Sequence, residues 1–377
     1  MPRSLYIHVP FCEVKCSYCD FFSVPRGHED FDLQKGYVDA LIREINQRYA
    51  SFPRRPVQSI FFGGGTPSLL DPPLLESILN ALGQRFSWDK QAEITLEANP
   101  KTVSREKLAA FRALGINRLS IGVQSFQDRF LRVLGRIHNG DEARRTLDDA
   151  RAAGFENVSL DLIFTIPGQS IEDWKKDLEE AISFGIPHLS CYHLEGGRLN
   201  PTNEEEGIRC LTWTRERLCQ ARIEPYEISN FSRPGFESVH NSNYWRYGEY
   251  LGFGTAAASF MKIPPSPLFQ RGDFGVRRRQ TNVRDLKRYL EGDLVDFSEE
   301  IGLATAMGEF CMLALRTREG IGEEAFRDEF SISFSETFPS QITRWVKRGW
   351  LERRGGGWRL TEAGILFTDE VAASFIA

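Results

Sequence analysis

Cys12, Cys16 and Cys19 fall inside eight residues of the stretch HVPFCEVKCSYCDFF (8–22), and the next cysteine is Cys191. Three soft ligands in one loop can hold metal in two ways. A structural zinc takes four tetrahedral ligands, commonly from two separated pairs, and no second pair is present; a catalytic zinc uses three protein ligands and an open position. A [4Fe–4S] cube is usually held by four thiolates, so three would leave one iron with an exchangeable place. Spacing alone leaves both readings open. In either, the missing fourth ligand marks where chemistry would happen.

Elements that could position such a loop alternate along the first two thirds of the chain. Strand-like runs are LYIHV (5–9), VQSIFFG (57–63), AEITLEA (92–98), INRLSIGV (116–123), NVSLDLIF (157–164), HLSCYHL (188–194) and IEPYEIS (223–229). Helical spacing lies between them, as in YVDALIREINQRYA (37–50), where Val38, Leu41, Ile42 and Ile45 share a face. Asp71 and Ser104 are expected N-caps, and later helices open on Asp or Ser and close on Gly. Strand and helix in turn, with right-handed crossovers, make a parallel sheet covered by helices. Six to seven such units fit before residue 230, fewer than the eight of a closed barrel. We read an α/β fold, a partial or full βα barrel, with a doubly wound open sheet as the alternative.

The cysteine loop follows the first strand and so falls at the C-terminal rim, where βα folds place their sites. Other candidates end later strands and converge on that rim. GGGTP (63–67) ends the second strand, and its glycines allow close backbone approach to a ligand. Glu97 ends the third, Gln124 the fourth, Asp161 lies on the fifth, and Arg136 follows in the next βα segment. Each taken singly also reads as a turn, a cap or a satisfied strand-end polar group.

After residue 230 the pattern changes. FSRPGFESVHNSNYWRYGEYLGFG suggests a structured loop region, and PPSPLFQRGDFG (264–275) a connector. From about 303, LATAMGEFCMLALRT and the hairpin candidate WLERRGGGWRLTEAG suggest a small winged-helix-like α+β module. We divide the chain into 1–235, 236–300 and 301–377.

With 377 residues, 41% hydrophobic and 26% charged, the composition is that of an ordinary globular protein. A net charge of −5 gives no electrostatic reason to expect a nucleic-acid partner, and Arg277-Arg278-Arg279 reads as a solvated surface cluster. LYIHVPF is too short for a secretory signal, and no run reaches the length of a membrane span. Seven cysteines, an odd number, argue against a secreted disulfide framework, and Cys191, Cys210, Cys219 and Cys311 read as buried thiols. The chain reads as cytoplasmic.

C-x3-C-x2-C with Tyr18 before the last cysteine resembles the loop of the radical S-adenosylmethionine (AdoMet) superfamily. That resemblance implies a [4Fe–4S] cluster on Cys12, Cys16 and Cys19. It further implies AdoMet on the open iron, and an electron that cleaves its sulfonium to a 5′-deoxyadenosyl radical. LYIHVPFCEVKCSYCDF, IFFGGGTPSLL, ITLEANP, RLSIGVQSF, LGRIH and LDLIFTIPGQS are similar to the oxygen-independent coproporphyrinogen III oxidase group through most of residues 4–250. From it, Tyr6, Gly64, Gly65, Thr66, Glu97, Gln124, Arg136 and Asp161 are implied to line the AdoMet site, with Tyr18 beside the cluster.

The oxidases of that group carry C-x3-C-x2-C-x-C, and Phe21 stands here in place of the last cysteine. CDF and HNSNYW (240–245) instead resemble the group's heme-chaperone branch. This implies heme held at His240, Asn241, Tyr244 and Trp245, with a neutral imidazole as axial ligand. By themselves those six residues also read as a loop histidine hydrogen-bonded to its surroundings, with Tyr244 and Trp245 as anchors. Two stretches depart from the family: GFGTAAAS, with Ala258 where a histidine is often found, and HLEGGRLNP (193–201). The resemblance implies a chaperone that binds cluster, AdoMet and heme and passes heme to an acceptor protein. An electron donor would serve the cluster, and a homodimer is left open. The alternative it carries is radical decarboxylation of coproporphyrinogen III.

Overall fold

A computed structural model describes residues 2–25, 31–48, 56–194, 204–262 and 276–376. The connector expected at 264–275 and most of HLEGGRLNP lie outside the described residues. Six parallel strands run side by side in chain order: Ser4–Val9, Ser59–Gly64, Glu93–Ala98, Arg118–Gln124, Asn157–Phe164 and His188–His193. Helices connect them, among them Phe31–Arg48, Pro72–Arg85, Arg105–Ala113, Gly140–Ala152 and Ile171–Ser183. This is the partial barrel. Its helices start where side-chain oxygens can take the free amides of a first turn. Ser104 accepts from Lys107 N, and Ser170 with Asp173 closes a reciprocal box. Asn139 rather than Asp141 caps the fourth of these helices, and Asp71 makes no side-chain cap bond.

Parallel strands covered on both faces usually read as continuous apolar runs. These alternate. Leu5, Ile7, Ile60, Phe62, Leu96, Leu119, Ile121, Leu160, Leu162 and Leu189 are fully enclosed in the main core cluster. The intervening positions carry Ser4, Tyr6 and His8, then Ser59, then Glu93, Thr95 and Glu97, then Arg118 and Ser120, then Ser159 and Asp161, then His188 and Ser190. One face of the sheet is therefore hydrophobic core and the other a polar interior.

The seventh expected strand, 223–229, supplies only Glu224–Pro225, antiparallel at the sheet edge through Asn230–Ser232. Pro225 has no N–H to continue a ladder, which confines it to such an edge. At the other edge Tyr250–Phe253 pairs parallel with the first strand, followed by antiparallel Ala258–Lys262, Arg277–Asn282 and Val295–Ile301. The 236–300 segment expected to be loop and connector thus extends one twelve-stranded sheet. Glu44 ties it down. Its buried carboxylate accepts from Gly254 N (2.8 Å), Asn282 Nδ2 (2.8 Å), Tyr289 Oη (2.7 Å) and Arg48 Nη1 (2.7 Å). Two further readings are corrected. Arg277 is 4% exposed and paired with Glu329 (2.6 Å), because its strand packs against the C-terminal module. Cys219 is exposed, near the end of helix Glu204–Gln220, while Cys191, Cys210 and Cys311 are buried.

Beyond residue 301, helices Leu303–Leu315, Glu323–Phe330 and Pro339–Lys347 surround a three-stranded sheet of Ile321–Gly322, Gly357–Leu360 and Leu351–Arg354. The hairpin turns on Gly355 and Gly356, both at positive φ (59° and 80°), where glycine carries no Cβ penalty. Its aromatic core, including Phe310, Phe326, Phe330, Phe334 and Trp345, also takes in Tyr247 and Phe260 of the preceding segment. No helix among the described residues is long and apolar enough to cross a membrane. Glu44→Ala is expected to cost ~3–5 kcal/mol, the penalty for breaking a buried ion pair from one side. Urea unfolding checks it; a change under about 0.5 kcal/mol, typical of a surface substitution, would deny Glu44 that role.

Candidate functional site

The cysteine loop is gripped at its root. Phe11–Cys12 pairs with Val24–Pro25, and Val24 N donates to Pro10 O (2.7 Å), closing the loop on itself. From the second strand, Gly65 N donates to Val9 O (2.8 Å) and Thr66 N to Phe11 O (2.7 Å). The approach is too close for a side chain. A Cβ on Gly65 would lie 2.6 Å from Phe11 O, and one on Gly64 (φ +111°) 2.5 Å from the His8 ring. These glycines let the chain pack on itself at the root of the loop. His8 Nε2 donates to Phe22 O (2.9 Å), so Nδ1 accepts from Tyr6 Oη (3.1 Å). Burial holds the imidazole down to about 4 and hence neutral. Both nitrogens are engaged, and His8 is no fourth ligand.

Over the C-terminal ends of the strands lies a cavity of about 510 Å³. Cys12, Cys16 and Cys19 form part of its wall, together with Tyr18, Gly64, Gly65, Thr66, Glu97, Gln124, Arg136 and Asp161. Of the nine residues expected around AdoMet, eight come together here. Tyr6 lies behind them, its hydroxyl turned to His8. Among the described residues no three His, Cys, Asp or Glu side chains gather closely enough to hold a single ion; the cysteines are spread along the wall. Burial pushes the Cys12 and Cys19 thiols up, so their thiolates need a cationic partner. Three thiols facing a cavity sized for a small ligand are a donor set that fits a cluster with one open iron.

Charge around the cavity is arranged by Arg136. Its Nη1 lies 3.5 Å from Cys16 Sγ, while Nη2 donates to Asn99 Oδ1 (2.5 Å) and Gly122 O (2.6 Å). Asn99 Nδ2 in turn donates to Thr66 Oγ1 (2.9 Å), which lies 3.5 Å from Cys12 Sγ. The cavity also holds a carboxyl pair, Glu97 and Asp161. The surface Glu97 keeps opens on the cavity; burial and then the neighbouring Asp161 push its carboxyl up to about 8, although Gly64 N donates to it (3.2 Å). Burial also raises Asp161, against hydrogen bonds from Ser120 (3.2 Å) and Ser159 (3.4 Å). Gln124 adopts φ +69°, a left-handed conformation rare for a residue other than glycine, at the point where its strand's register shifts.

Asn99, Ser120, Gly122 and Tyr192 line the cavity without having been singled out. Strand parity could have found three of them: Glu97 and Asp161 mark the interior face, and residues two apart share it. Asn99 then follows Glu97, while Ser120 and Gly122 share a parity opposite Asp161.

HNSNYW is elsewhere. Helix Val239–Trp245 lies at the N-terminal ends of the strands, roughly 17 Å away at ~3.3 Å per residue of a six-residue strand. Glu93 accepts from Val239 N and His240 N (both 3.0 Å), and Ser238 caps the helix through Asn241 N (3.2 Å). His240 is fully enclosed, its Nδ1 2.9 Å from Ser59 Oγ and its Nε2 2.8 Å from Tyr244 Oη. With one ring nitrogen donating and the other accepting, the imidazole offers no lone pair to iron. As folded here, the imidazole expected to hold heme is engaged on both nitrogens. Trp245 stacks under Arg316 of the C-terminal module (5.8 Å), and Asn241 is half-buried.

Comparison with known proteins agrees with this architecture. Residues 6–181 match the Radical SAM superfamily and residues 301–367 the HemN C-terminal domain. Heme chaperone HemW of Escherichia coli (strain K12) is 34% identical, covering 100% of this chain and 98% of that protein. The chain belongs to the HemW family of radical SAM proteins. Heme chaperone HemW of Bacillus subtilis (strain 168) is 30% identical, covering 99% of each. Coproporphyrinogen III oxidase (HemN) from Escherichia coli has the same fold, with TM-score 0.82 and 22% identity over 100% of this chain and 90% of that one. The HemW family thus shares its architecture with an oxidase.

The carboxyl of Glu97 gives a pH signature. In the unfolded chain it titrates near 4.5, in the fold near 8, so the folded state binds more protons between these values. Stability is expected to fall as pH rises through that window, and Glu97→Gln to flatten the fall. Denaturation at pH 5 and pH 8 checks this; equal losses in both proteins would mean Glu97 is ionised at neutral pH.

Proposed function

We propose that this chain is a heme chaperone. It holds one [4Fe–4S] cluster on Cys12, Cys16 and Cys19, binds AdoMet in the adjoining cavity, and passes heme to an acceptor protein in the cytoplasm. The observation that carries the reading is the convergence of three cysteines and eight further expected residues on one cavity, in a chain whose relatives are named heme chaperones over their full length. When bound, the cluster supplies a reducible iron with a free coordination place.

The chain's own residues account for the rest. Arg136 sets a fixed positive charge beside Cys16. Asn99 and Gly122 O hold that guanidinium in position. Thr66, Arg136 and the carboxyls of Glu97 and Asp161 all line the cavity. A zwitterionic, cationic-sulfonium ligand finds a guanidinium and hydrogen-bonding carboxyls there. Glu97, protonated at neutral pH, can donate a hydrogen bond where an ionised carboxylate could only accept. Phe21, 66% exposed at the mouth, stands where the oxidases of the wider group are implied to carry a further cysteine.

Anaerobic reconstitution tests the cluster: Cys16→Ser is expected to lose the visible absorbance, and an unchanged iron and sulfide content would sink the assignment. An anaerobic heme titration tests the chaperone reading, with saturable binding as the expected result. Protoporphyrinogen IX formed from coproporphyrinogen III under reducing conditions would replace it with the oxidase reading.

A further inference from the structure

The two signature motifs, though at opposite ends of the barrel, are joined through its interior. On the first strand Ser4, Tyr6 and His8 face inward; in register beside them on the second are Ser59, Phe61 and Gly63. The His240 ring stacks on Phe61 (5.0 Å between centroids, 29°) and lies 6.4 Å from Tyr6. Phe61 and Tyr6 stack in turn (6.3 Å, 25°). Tyr6 meets the edge of His8 (6.0 Å), and His8 packs on Phe22 (6.3 Å), three residues past Cys19. At the foot, Tyr244 stands edge-on to His240 (5.0 Å, 87°).

Hydrogen bonds fix the same column at both ends. At the head, His8 joins Tyr6 Oη to Phe22 O. At the foot, His240 joins Ser59, itself bonded to Ser4 (2.8 Å), to Tyr244. The column also touches the cavity wall. A Cβ on Gly63 would meet Phe61, Tyr6 and Glu97 Oε2 at once, at 2.9–3.1 Å, so these three side chains converge on one small space.

We infer that His240 is a positioning residue for the cluster and AdoMet site, and that it is not a heme ligand in this fold. It is the foot of a column of rings that sets the height of Phe61 and Tyr6 beneath Glu97 and, through His8, the seat of the cysteine loop. Shortening the foot lets Phe61 and Tyr6 settle toward it. The Gly63 space then opens, and the His8 bond to Phe22 O loses its backing. Shifts of this size matter because misplacing a reacting group by about 1 Å can cost roughly a hundredfold. The inference deepens the cluster-and-AdoMet reading and rests on it.

The test uses the full-length, anaerobically reconstituted chain as wild type, His240→Ala, His240→Gln and Tyr244→Phe. The AdoMet-induced shift of the reduced cluster's EPR signal and the heme absorbance band are titrated in each. His240→Ala is expected to need about ten- to a hundredfold more AdoMet, while keeping the wild-type heme band and stoichiometry. His240→Gln, which retains a donor and an acceptor, is expected to recover most of the AdoMet response. Phe326→Leu, in the C-terminal core, serves as a variant of lowered stability whose AdoMet response stays that of wild type. If His240→Ala does not fold, Tyr244→Phe decides, since it removes the Nε2 partner and leaves every ring. A wild-type AdoMet titration in His240→Ala, or in Tyr244→Phe where His240→Ala does not fold, or loss of the heme band in His240→Ala, overturns the inference. A wild type that binds no heme overturns the chaperone reading alone; one that takes up no iron and sulfide overturns both.

Discussion

Where the first strand ends, the carbonyls of Val9 and Phe11 are taken by Gly65 and Thr66 at 2.8 and 2.7 Å, a separation only glycine permits at position 65. The rest of the site hangs on this approach. It sets the origin of the cysteine loop, and it brings Thr66 to within 3.5 Å of Cys12. Through Asn99 it also connects that threonine to the guanidinium beside Cys16. Few unpaired degrees of freedom remain at the loop's base, because both of its ends also pair with each other.

The polar interior is the second consequence. A barrel too open to close on itself could fill its inside with side chains of any kind, and this one uses hydrogen-bonded polar groups and rings. Burying polar groups costs free energy unless each finds a partner. Here His188 bridges Ser159 (2.8 Å) and Tyr226 (2.9 Å), and Arg118 faces Glu93 at 3.8 Å. Partners are thus supplied from the strands above and from the segment that closes the floor. The mouth is polar for chemistry, the floor for closure.

That closing segment explains why residues 236–300 are inseparable from the barrel. Helix Val239–Trp245 enters its lower end, Tyr250–Phe253 then extends the sheet beside the first strand, and Tyr247 and Phe260 pass into the C-terminal aromatic core. The C-terminal module therefore packs beneath and beside the barrel through residues that also define its floor. Trp245 under Arg316, and Glu227 bridged to Thr317, mark the same seam.

Much was legible in the sequence. Six strand positions, the helices between them and the terminal hairpin follow from periodicity and from glycine and proline punctuation, which are local properties. Cys12, Cys16 and Cys19 are neighbours along one loop, and Glu97, Gln124 and Asp161 sit on strands of one sheet, so their convergence followed from strand order. What the tertiary structure alone decided are relations between residues far apart in the chain. Glu44 binds segments more than two hundred residues away; a short irregular stretch after 230 becomes strand because the first strand offers it an edge. His240 reads in sequence as an available imidazole and in the fold is spent on Ser59 and Tyr244. A histidine's chemistry depends on which atoms take its two nitrogens, and spacing along a chain carries no record of partners brought there by folding.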